Sequence, residues 1–82
     1  MIFLIEYNRP QGRLITFTVF HKSEQERAEG ARLELEVDLN RRGVDHEVVL
    51  LEAASEDALR RTHRRYFEDP RQILESASAD GK

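Results

Sequence analysis

Between two runs rich in branched and aromatic residues, Ile2 to Tyr7 and Arg13 to Phe20, the chain places Asn8-Arg9-Pro10-Gln11-Gly12, a segment made for turning. Proline presets φ for the second position of a type I turn, and Gly12 accepts the left-handed conformation that closes such a loop. A chain that starts this way is committed to a β-hairpin. A loop of this length pairs Phe3 with Phe17 and Ile5 with Ile15. One face of the hairpin then carries Phe3, Ile5, Tyr7, Ile15, Phe17 and Val19.

Beyond the hairpin the chain reads as helix, strand and helix. Ser23 with Glu26 three residues on forms a capping box, and Arg41-Arg42-Gly43 supplies cations and a left-handed glycine at the other end. This predicts a first helix from about Glu24 to Arg42, with Ala28, Ala31, Leu35 and Leu39 as its core stripe. Val44 to Ala53 has the composition of a buried third strand. Ser55 caps a second helix over about Glu56 to Phe67, with Leu59, Thr62, His63 and Tyr66 inward. Asp69-Pro70 suits the start of one more short helical turn through Leu74 or Glu75. Ser76 to Lys82 lacks any apolar period and reads as a disordered tail after a single domain over residues 1–75.

The order is ββαβα. A right-handed crossover leaves the third strand parallel to the second and antiparallel to the first. This predicts a three-stranded mixed sheet, in order 2-1-3 or, alternatively, 1-2-3. Both helices are placed on one face, giving a two-layer α+β sandwich. Phe3, Ile5, Tyr7, Ile15, Phe17, Val19, Val49, Leu51 and Ala53 then face the helices. Ile2, Leu4, Leu14, Thr16, Thr18, Val48 and Leu50 face away, on the side that Glu6, Glu52 and the threonines mark as wetter. Five of those are aliphatic, and so large a bare patch is unusual on a soluble monomer. At ~25 cal/mol per Å², covering a few hundred Å² is worth on the order of several kcal/mol, comparable with the whole stability of a small domain. The expected cover is a second copy, another protein, or Ile73 and Leu74 folding back. A further apolar stripe, Gly30, Leu33 and Val37, runs roughly opposite the core side of the first helix and offers a second contact surface, its small glycine permitting close approach.

Composition narrows the function. Eighty-two residues hold one domain, so an interdomain catalytic cleft is excluded. The net charge of -3 gives no overall attraction to nucleic acid or anionic lipid, and a cysteine-free chain forms no disulfide. No apolar run approaches the ~20 residues of a membrane span, and Met1 to Tyr7 lacks the basic start of an export signal. A cytoplasmic location is expected.

The strongest chemical cluster is Arg60-Arg61-Thr62-His63-Arg64-Arg65-Tyr66-Phe67. Four guanidiniums and two aromatic rings could hold phosphate or a nucleic-acid backbone. The stronger reading is that they form ion pairs with Glu24, Glu26, Glu29, Glu34, Glu36 and Asp38 of the first helix. His21, His46 and His63 have no metal-ligand spacing, though His63 beside Tyr66 could share a polar site. Ser23 and Ser55 are accounted for by capping. No nucleophile elbow or phosphate-cradling glycine loop is present, so neither enzymatic activity nor a cofactor is expected. The reading that results is a small non-enzymatic protein acting through protein-protein contact, as a homodimer. The alternative is an anion-binding module built on Arg60, Arg61, Arg64 and Arg65.

Overall fold

The computed structural model describes residues 1–68. Strands β1 (Ile2–Asn8) and β2 (Arg13–Phe20) are followed by helix α1 (Gln25–Arg42), strand β3 (Glu47–Glu52) and helix α2 (Glu56–Thr62). The sheet order is β2-β1-β3, the first of the two expected orders. β1 lies in the middle and is antiparallel to both neighbours, so every ladder is antiparallel and the sheet is not mixed as predicted. β2 and β3 do run in the same direction, but β1 lies between them and they do not pair.

The hairpin turn forms as its residues dictate. Gln11 N–H donates to Asn8 Oδ1, Gly12 N–H reaches the Arg9 carbonyl, and Gly12 takes φ 63°. The register differs from the expected one by two residues: Phe3 faces Val19 and Ile5 faces Phe17. A bulge between Glu6 and Tyr7 pairs Glu6 with Thr16 but Tyr7 with Leu14, so Ile15 is the extra residue. It stands 46% exposed, while Leu14 turns inward beside Tyr7. Such an insertion cannot be read from alternation, because alternation assumes an unbroken ladder.

The larger correction concerns layers. The two helices do not share a face. Leu59 of α2 and Tyr66, in a short 3-10 turn after α2, close over Phe3, Ile5 and Tyr7, with Leu14, Phe17, Val49 and Leu51 at the edges. On the opposite face Ala28, Ala31 and Leu35 of α1 pack on Ile2, Leu4, Phe20, Val48 and Leu50. The molecule is therefore a helix-sheet-helix sandwich with α1 lying over β1 and β3. The cause lies in β1, where Ile2 through Tyr7 are all buried. A strand that is apolar on both sides needs two covers, not one.

Helix boundaries differ from the expected ones for local reasons. The first helix opens with a 3-10 turn, Lys22–Glu24, capped by His21: its Nδ1 accepts from the Ser23 N–H while the Glu24 carboxylate accepts from the His21 N–H. His21 and Glu24 thus replace Ser23 and Glu26 as the capping pair. Ser55 caps α2 as expected, accepting from the Ala58 N–H, but α2 stops at Thr62 and the chain resumes as the Arg64–Tyr66 turn. β3 begins at Glu47 rather than Val44. The expected turn after Asp69 and the expected tail from Ser76 lie outside the described residues.

α1 ends at Gly43, with φ 68° and its N–H reaching back to Asn40 and Leu39. A Cβ there would meet no neighbouring atom, so the cost of replacement is backbone strain alone. Gly43→Ala is expected to destabilise by about 1 kcal/mol, read as a lower urea midpoint at unchanged slope.

Candidate functional site

The sheet face expected to need a partner is already covered by the chain itself. Ile2 and Leu4 are only 6% and 4% exposed, and Val48 and Leu50 are half-buried beneath α1. Leu14 belongs to the other face, and Thr16 donates to the Glu6 carboxylate at 2.7 Å. These six residues therefore do not form one bare surface. With α1 lying over it, that sheet face offers no bare surface for assembly.

The outer stripe of α1 does remain open. Leu33 is 58% exposed and Val37 47% exposed, one turn apart, and Gly30 lies one turn before Leu33 with no atom near its missing side chain. The spacing follows from 3.6 residues per turn: Ala28, Leu35 and Leu39 commit one side of the helix to the sheet, and Gly30, Leu33 and Val37 fall on the other. Arg32–Glu36 and Arg42–Asp38 ion pairs flank the helix at i,i+4. Glu26, one turn before Gly30, and Arg41, one turn after Val37, make no ion pair among the described residues.

The arginines are arranged differently from either expectation. Because α1 and α2 occupy opposite faces, the acids of α1 are not their partners. Arg60 pairs with Glu56 at 3.1 Å and lies over the Phe67 ring, and Arg64 pairs with Glu68 at 2.8 Å. A shallow cleft of about 420 Å³ lies between Arg60, Arg61, Arg64, Phe67 and Glu68. Arg61 makes no ion pair among the described residues, but its neighbours are already matched by carboxylates. The cationic field that would hold a phosphate is largely cancelled.

Arg65 turns away to a polar cluster that sequence reasoning missed. Glu47, at the start of β3, accepts from Arg65 at 2.5 Å, from Arg9 at 2.7 Å and from the Tyr66 hydroxyl. Arg65 also donates to the Tyr66 oxygen and lies over that ring. The Arg65 hydrogen bond, helped by Tyr66 and Arg9, holds the Glu47 carboxyl down at about 2 against the opposing effect of burial. Glu47 in turn holds the Arg65 guanidinium above its ordinary range. Burial first, and then the hydrogen bond to Glu47, push the Tyr66 hydroxyl up. The arrangement joins the hairpin turn, β3 and the segment after α2, which is a stapling role.

A second missed cluster lies under α1, where the buried Glu6 carboxylate meets His46 Nδ1 at 2.5 Å and the Thr16 hydroxyl. The signal was a carboxylate inside an otherwise apolar strand, which calls for partners. His63 and Tyr66 stack at 6.4 Å but do not hydrogen-bond, since His63 Nδ1 sits 2.9 Å from the Thr62 hydroxyl and Tyr66 serves Glu47. Among the described residues no three His, Asp or Glu side chains converge in a way that could hold a metal ion, and no helix is long and apolar enough to cross a membrane. Comparison with protein-family models, curated proteins and solved structures finds no match.

Proposed function

We propose that this chain is a small non-catalytic interaction domain whose partner is a second copy of itself, held through the outer side of α1. A cysteine-free composition is compatible with work in the reducing cytoplasm. The observation that carries the reading is the pairing of exposed Leu33 and Val37 with an acid at one end of the stripe and a base at the other. Two such helices packed antiparallel about a two-fold axis place Gly30 of each copy against Val37 of the other. Leu33 lies near the axis, and Glu26 of each copy meets Arg41 of the other. The antiparallel arrangement also opposes the two helix dipoles. A contact of this kind is isologous, using the same patch on both copies.

The test is solution mass by light scattering over a concentration series. Leu33→Glu and Val37→Glu are each expected to halve the mass found for the unaltered chain at the same concentration. Both positions are on the surface, so circular dichroism should be unchanged. A mass unaffected by either substitution would overturn the reading.

A further inference from the structure

β2 is an edge of the sheet, and among the described residues no strand or helix lies along its outer side. The outward backbone N–H and C=O groups of such an edge form a template for another strand, and proteins usually blunt it with charge or proline. From Leu14 to Phe20, β2 has neither: the run is Leu-Ile-Thr-Phe-Thr-Val-Phe. That run is also close to a palindrome about Phe17. Thr16 and Thr18, Ile15 and Val19, and Leu14 and Phe20 stand at equal distances on either side and match in chemical kind.

We infer that β2 pairs antiparallel with β2 of a second copy, about a two-fold axis at Phe17, joining two three-stranded sheets into one of six strands. In that register Phe17 faces Phe17, the threonines face one another, and Ile15 of each copy faces Val19 of the other. Ile15 and Val19 are the two large apolar side chains of the strand left 46% and 44% exposed. The pairing gives Ile15 the cross-strand partner that β1 does not, and gives Val19 a second one beside Phe3. The register shift at Ile15 ends the regular part of β2 on that side, so the new ladder spans Ile15 to Val19.

Charge separates this edge from the other one. β3 begins with Glu47 and ends with Glu52, so an antiparallel β3 pair would set carboxylate against carboxylate at both ends. β2 has no such conflict within the ladder. A second copy is the occupant favoured because the strand is complementary to itself and presents no charge for a different sequence to match.

This contact is separate from the α1 pairing. Two isologous contacts on one protomer close into four copies when their axes intersect at right angles, into larger closed assemblies at certain other angles, and otherwise extend as a chain. The experiment is light scattering on the full chain and on Val19→Lys, Ile15→Lys, Leu33→Glu and the Leu33→Glu/Val19→Lys pair. Leu33→Glu is expected to leave two copies joined through β2, and adding Val19→Lys to reduce them to one. Each lysine falls twice in a two-fold interface and should raise the dissociation constant by at least about tenfold. In Leu33→Glu, β2 amides should exchange more slowly as concentration rises, and in the double variant they should not.

A single-copy mass for Leu33→Glu would overturn the β2 pairing while leaving the helix contact standing. A mass halved by Val19→Lys and by Ile15→Lys but untouched by Leu33→Glu would support the strand pairing and overturn the helix contact. A single-copy mass for the unaltered chain at every concentration would remove both.

Discussion

Leu59→Ala should cost about 2–5 kcal/mol, the range for emptying a fully buried leucine site. Leu59 is the only α2 side chain buried without exposure, and it sits over Phe3 and Ile5 at the centre of one core. α2 itself has seven residues, too few to persist without packing. Its other attachments are Ser55 at the start and Tyr66 and Phe67 beyond its end, where Phe67 meets Phe17 edge to face. Removing Leu59 therefore both opens a cavity and frees the helix. Urea unfolding should report a lower midpoint, and Leu59→Met should recover most of the loss because it nearly conserves volume. A change below about 1 kcal/mol for Leu59→Ala would mean that α2 does not cover the sheet.

The second large effect is electrostatic. Glu47 has its carboxyl lowered to about 2 from an ordinary 4.5. A depressed carboxylate stabilises the fold fully above its ordinary range, and the contribution fades as pH falls from about 4.5 towards 2. A shift of that size corresponds to on the order of 3 kcal/mol, reduced to about 1–2 because Arg9 and Arg65 are both largely solvated. Glu47→Gln should lose about that much at neutral pH and flatten the acid limb of the stability curve below pH 4.5. Unfolding free energies measured at pH 7 and pH 3 provide the check. If both proteins lose stability equally over that interval, Glu47 is not the group that titrates.

Much of this architecture was legible because it rests on local signals. Pro10 and Gly12 mark the hairpin, Gly43 marks the end of α1, Ser55 marks the start of α2, and the helical crossover leads to a third strand antiparallel to the first. Phe3 and Phe17 were expected as partners, and their rings do stack at 5.6 Å, although the shifted register makes them diagonal neighbours. What escaped was the assignment of faces. Alternation predicts one covered face for β1, whereas its apolar run from Ile2 to Ile5 requires cover on both sides. From that one choice came the misplaced first helix, the expected bare patch at Ile2, Leu4, Val48 and Leu50, and the expected ion pairs between the helices. Of the candidate contact residues, Gly30, Leu33 and Val37 alone keep the open position expected of them, because a helical stripe depends only on spacing along one element. The Glu47 and Glu6 clusters each join three separate segments, and no local pattern links Arg9 to Glu47 or Thr16 to His46.

The central position of β1 also sets the order in which folding can finish. Its side chains emerge first among these elements, yet one half of them waits for α1 and the other half for Leu59 and Tyr66, near the far end of the described chain. Nothing shorter than the stretch from Ile2 through Tyr66 can shelter that strand on both sides, so synthesis on the ribosome holds an oily segment in suspense until late. Truncation from the C-terminal side would recreate the same predicament permanently, stripping one flank of the middle strand while leaving the other clothed.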